Sequence, residues 1–180
     1  MSADPVEELL AEGQQLPVKV IRSTRRKKSS AARIVDGRIE VRIPSWMSQA
    51  QEREAVDALV AKVRSKHAVA RSGIDLAARA RKLAAVYQLP VPTSVRWVTN
   101  QSTRWGSCSY EDGTIRISSR LARVPGWVLD YVLLHEITHL VESGHGAEFH
   151  DLMARYPKAE RAEGFLEAMA LGVADDAFTA

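Results

Sequence analysis

The chain has 180 residues, 46% of them hydrophobic, a formal net charge of +3 and a single cysteine. That size and apolar content suit one compact domain, the lone cysteine excludes an intrachain disulfide, and no apolar run reaches the roughly 18–20 residues that a membrane-spanning helix needs. The opening MSADPVEELLAEG is acidic and lacks the basic start and apolar stretch of a secretory signal, so no membrane role and a reducing cytoplasmic location are expected.

Residues 1–16 read as a loosely held tail with a short helix from Pro5 to Ala11, and residues 17–175 as a single domain. The strand region 17–45 opens with Val18, Val20 and Ile21 and continues through Ala31–Val35 and Arg38–Ile43, the last two joined by Asp36-Gly37, a tight-turn signal. Ile39, Val41 and Ile43 alternate with Arg38, Glu40 and Arg42, which turns one face inward and predicts a three-stranded antiparallel start.

Basic residues crowd this region: Arg22, Arg25, Arg26, Lys27, Lys28 and Arg33. Such a run can track phosphates, so nucleic acid is one possible partner of segment 22–33. A charged hairpin edge that resists aggregation is the favoured account, because no aromatic residue is interleaved and the overall charge is modest.

Helices are expected over 48–89. Pro44 ends the third strand, and Ser48 followed by Gln51 forms a capping-box pattern before a helix from about 49 to 66, with Ala55, Leu59 and Val63 inward. His67 lies near Lys62, Arg64 and Lys66 and reads as a surface residue. A second helix after Gly73 runs through Leu76, Ala80, Leu83 and Tyr87 until Leu89-Pro90-Val91-Pro92 breaks it. A strand wall over 94–120 follows, with strands Ser94–Thr99, Arg104–Cys108 and Thr114–Ser118 and a turn at Glu111-Asp112-Gly113.

Four of the five histidines fall within Tyr131–His150. After Val124-Pro125, the residues Trp127, Val128, Tyr131, Val132, Leu134, Leu140 and Val141 make a nearly all-apolar helix, and such a helix is buried. His135 and His139, four apart on it, project from one face and can close on a single ion, with Glu136 beside them to take a proton from a water that the ion activates. Polar groups inside a buried helix are costly, and a metal with its water would satisfy these. Gly144 lets the chain turn back, so the third ligand comes from His145 or His150, with His145 favoured by its six-residue interval from His139.

Cys108 reads as a packing residue, because nothing in its neighbours argues for a lowered thiol pKa. Trp105 could floor a substrate cleft, and Arg104 and Arg116 could stabilise an oxyanion.

The segments RWGSCSYEDGTIRISSRL and VLDYVLLHEITHLVESGHGAEF, with VKVIRSTRRKKSSAARIVDGRIEVRIP ahead of them, resemble the YgjP-like metallopeptidase family, a zincin-type group with SprT-like and WLM relatives. Arg104–Ser109 is the most distinctive block. The family's H-[SG]-x-x-F pattern matches His145, Gly146 and Phe149, which favours His145 as the third ligand; the chain departs from the family at His150, where a tryptophan is usual, and at Ser118, where an asparagine is usual. The resemblance implies an α+β, zincin-like fold with small antiparallel sheets packed on helices and an active-site helix carrying H-E-x-x-H within metal-binding helices over 124–170. It also implies one Zn2+ ion on His135, His139 and His145, Glu136 as the catalytic base, a second electrophile for which Tyr131, Tyr156 and His150 are eligible, and a protein or peptide substrate.

Overall fold

The structure, a computed structural model, describes residues 16–101 and 103–171; the expected tail helix from Pro5 to Ala11 lies outside them. The chain divides into two compact units, with the boundary between His67 and Ala68.

The first unit holds β1 (Val18–Ser23), β2 (Ala31–Val35), β3 (Arg38–Pro44) and most of α1 (Gln49–Ser72). Asp36 and Gly37 both have positive φ, 48° and 71°, the left-handed pair that a two-residue hairpin turn requires. The sheet order is β1-β3-β2, and β1 pairs with β3 in parallel, from Val18 opposite Ile39 to Ser23 opposite Pro44. The sheet is therefore mixed, and the antiparallel expectation is corrected at this edge. Apolar alternation identifies β1 as a strand but is blind to its partner's direction, and the 24–30 connection carries the chain past β3 to the opposite edge.

Ile39, Val41 and Ile43 are fully buried and cluster with Val56, Leu59, Val60 and Val63 of α1. Leu59 and Val63 face inward as expected, while the larger Val56 and Val60 occupy the apolar stripe in place of Ala55. The capping box forms: Ser48 N–H donates to Gln51 Oε1 at 3.0 Å, and Gln51 N–H donates to Ser48 Oγ at 3.3 Å. With no breaker in the sequence after 66, α1 continues to Ser72, and half-buried His67 is part of it.

The second unit contains α2 (Leu76–Tyr87), β4 (Ser94–Val98), β5 (Gly106–Ser109), β6 (Thr114–Ser118), a 3-10 turn (Ser119–Arg123), α3 (Gly126–Thr138), α4 (Ala147–Ala154) and α5 (Ala159–Ala170). Its sheet is also mixed, in the order β4-β6-β5, with β4 parallel and β5 antiparallel to β6. The core gathers Ile115 and Ile117 of β6 with Val128, Leu129, Leu133, Leu134 and Ile137 of α3.

Arg79 of α2 pairs with Asp130 and also donates to the Gly126 carbonyl at 3.0 Å, fixing the start of α3. The architecture is α+β, with small mixed sheets packed on helices. No helix among the described residues is long and apolar enough to cross a membrane.

Candidate metal centre

Helix α3 is buried on nearly every side, so its polar residues stand out. Thr138 is satisfied internally, its hydroxyl donating to the Leu134 carbonyl at 2.9 Å. His135 and Glu136 sit in the last turn, and His139 is the C-cap, its N–H bonded to the His135 carbonyl at 3.3 Å. The N–H groups of Leu140, Val141 and Glu142 fold onto the Ile137 and Thr138 carbonyls and close the helix end. His145 then returns just ahead of Gly146, the N-cap of α4.

The ligand atoms of His135, His139 and His145 all lie within 4.8 Å of one another. His145 Nε2 stands 3.2 Å from His135 Nε2. Two nitrogens at zinc-ligand distance from one tetrahedral ion are about 3.3 Å apart, so this spacing suits a shared cation. His139 Nδ1 is 2.9 Å from the Glu142 carbonyl, a contact that places the proton on Nδ1 and leaves Nε2 as the ligand atom. Phe149 is buried against all three imidazoles, with ring centroids 4.9, 4.8 and 4.6 Å from His135, His139 and His145.

The electrostatics suit a cation. Burial, reinforced by His139 and His145, holds His135 down to about 4, so its ring is neutral and available as a ligand near neutral pH. His145 is lowered in the same direction, also chiefly by burial. Burial pushes the Glu136 carboxyl up to about 7 against the opposing pull of Arg104. A carboxyl tuned to that range is suited to exchanging protons with a substrate or water.

Glu136 lies against the edge strand. A Cβ placed on Gly106 would meet Glu136 Oε1 at 2.5 Å, so glycine is what lets β5 approach the carboxylate this closely. A cavity of about 670 Å³ opens over the group. Arg104, Trp105, Gly106, Ser107, Cys108 and Tyr110 form one wall, and Glu163, Leu166, Glu167 and Ala170 of α5 form another.

Arg104 and Trp105 thus join the histidines. Both precede β5, which begins at Gly106, and the Trp105 carbonyl is held by Ser118 N–H at 2.9 Å. Arg116 is exposed on β6 and does not line the cavity. Of the three candidate electrophiles, Tyr131 lines the cavity and its hydroxyl donates to Glu163 at 2.6 Å, whereas Tyr156 donates to the Trp127 carbonyl at 2.8 Å. His150 is exposed on α4, outside the histidine cluster. Cys108 also lines the cavity, but burial first, then Glu136 and Asp112, push its thiol up to about 11, which keeps it protonated.

Sequence reading missed Gly106, Tyr110 and the α5 wall. A glycine within the Arg104–Ser109 block was the available signal for a close approach; nothing marked Glu163 or Glu167 as facing a site.

Residues 6–168 match the YgjP-like family, described as a YgjP-like, metallopeptidase domain. The chain belongs to this family. Membership makes it an enzyme of the hydrolase class, and the histidine cluster is capable of coordinating the metal that a metallopeptidase needs.

Two solved structures are partly similar. The metallopeptidase zymogen of Pyrococcus abyssi abylysin is 21% identical over 50% of this chain and 87% of that one, with a TM-score of 0.45. That of Methanocaldococcus jannaschii jannalysin is 16% identical over 50% and 91%, with a TM-score of 0.43. No curated protein matches the chain.

Proposed function

We propose that this chain is a zinc-dependent peptidase of zincin-like type, in which His135, His139 and His145 hold one ion and Glu136 is the general base. The observation that carries the reading is the convergence of three imidazoles beside a buried carboxyl in the wall of one cavity. Zinc bound there would supply Lewis acidity to a water and to the scissile carbonyl. Glu136 accepts the proton of the attacking water and returns it to the departing amine. Arg104 is the cavity donor available to the developing oxyanion, in place of Tyr156 and His150, because the Tyr131 hydroxyl already gives its proton to Glu163.

The β5 edge supports an extended protein or peptide as the substrate. Ser107 faces Arg116 and Ser109 faces Thr114 as hydrogen-bonded pairs, so strand alternation turns the backbone groups of Gly106 and Cys108 to the side away from β6. A peptide paired there would be held through its main chain, with its scissile bond near Glu136 and its side chains against Trp105, Tyr110 and Leu166. The family match runs from 6 to 168, which supports treating 17–175 as one functional domain. The single cysteine supports a reducing, cytoplasmic setting.

The test is metal analysis of the purified protein together with mass-spectrometric mapping of products from a denatured protein substrate. One equivalent of zinc, cleavage lost with a chelator and regained with zinc, and new amino termini in the products are expected. Protein that binds no divalent metal would sink the reading. A fourth protein ligand on the ion would instead make it a closed, structural site.

A further inference from the structure

The basic segment lacks an aromatic neighbour in sequence, but the fold supplies one. Trp46, just after β3, is 59% exposed, and its indole N–H donates to the Lys27 carbonyl in the β1–β2 connection at 2.9 Å. Its backbone is held on both sides. Ser45 N–H donates to the Ser23 carbonyl at 3.1 Å, and Arg22 Nη1 donates to the Ser45 and Met47 carbonyls at 3.3 and 3.2 Å. The ring is thus anchored by one edge, and no ring or cation stacks on its faces among the described residues.

Not every positive charge nearby is available. Arg22 pairs with Glu52, Arg33 and Arg42 both face Glu40, and Arg26 donates to Ser29. Arg25, Lys27 and Lys28 are exposed and form no ion pair among the described residues. An exposed indole fixed in place beside three free cations is the arrangement that binds a flexible polyanion carrying flat apolar groups: bases stack on the ring while phosphates meet the cations.

We propose that Trp46 with Arg25, Lys27 and Lys28 forms a binding site for single-stranded nucleic acid. A rigid duplex keeps its bases stacked on one another and leaves the indole unused. The site is independent of the histidine cluster and of the peptidase reading.

The test is fluorescence anisotropy of a labelled 20-nucleotide oligothymidine with the full chain, at low salt and then rising salt, with quenching of tryptophan emission as a second readout. Binding that weakens with salt is expected. Trp46→Ala should lower affinity about tenfold to a hundredfold and remove most of the quenching, whereas Trp46→Phe, which keeps an aromatic face, should stay within about threefold of wild type. The triple variant Arg25→Ala/Lys27→Ala/Lys28→Ala, confined to exposed connection residues, should lower the slope of log affinity against log salt by about 2. It keeps the proposal falsifiable if Trp46→Ala fails to fold. Chelator-treated protein should bind as wild type does. No binding at low salt, unchanged binding in the triple variant, a duplex bound as tightly as the single strand, or binding to anionic phospholipid vesicles without oligothymidine binding would each overturn it.

Discussion

The two three-stranded sheets share one topology: a leading strand parallel to the third, and a second strand antiparallel to it. In the first, the hairpin closes through the two-residue Asp36-Gly37 turn, and Ile39, Val41 and Ile43 are wholly committed to packing. In the second, the edge strand is short, it begins at a glycine, and that glycine faces a carboxylate beside three histidines. The pairing pattern alone therefore makes no site. Both hairpins carry a positive-φ turn glycine, Gly37 in the first and Gly113 in the second, and what separates the sheets is Gly106, a further glycine used for close approach to Glu136.

That contrast can be broken experimentally. Glu136→Gln should have the largest effect, keeping the metal while lowering turnover by at least a hundredfold and up to about 10⁴-fold. Parallel metal content and steady-state rates decide it, and unchanged turnover would remove Glu136 from the chemistry. Gly106→Ala should come next. Its new methyl must push the Glu136 carboxylate aside, and a displacement of that kind costs about a hundredfold in kcat at unchanged metal content.

A third effect concerns the metal-free protein. Glu136, raised from 4.5 to about 7, contributes stability that is complete below pH 4.5 and lost as pH rises through 7. His135, lowered from 6.5 to about 4, contributes stability that is complete above pH 6.5 and lost as pH falls through 4. Between pH 4.5 and 6.5 the two slopes oppose and largely offset. As pH falls from 6.5 to 4.5, metal-free Glu136→Gln should therefore lose about 2–3 kcal/mol while metal-free wild type changes far less; urea unfolding at a series of pH values checks it.

The smallest effect belongs to the first sheet. Gly37→Ala places a side chain at φ 71° and should cost about 1 kcal/mol by thermal unfolding while leaving kcat/KM unchanged. Equal loss of activity in the two glycine variants would erase the distinction between the sheets.

Much of this was legible in the chain. The Asp36-Gly37 turn, the Ser48/Gln51 cap and the proline break after α2 are local signals, each read from a few adjacent residues. The histidine spacing is local as well, since a helix end and a short return bring 135, 139 and 145 together. What stayed hidden depends on partners distant in sequence. The direction of β1 and β4 is set by which strand they meet, not by their own alternation. Trp46 reaches Lys27 only because the hairpin folds back, and α5 forms a cavity wall although its residues carry no motif.

Arg22 illustrates the difference between charge counted and charge available. A single guanidinium bridges the end of the first strand, two carbonyls flanking Trp46 and the opening turn of α1 at Glu52. It acts as a keystone, and removing it would unseat the indole as well as delete a cation. An Arg22→Ala phenotype in any binding assay would thus report collapse of the platform, and attributing it to a lost phosphate contact would be a misreading.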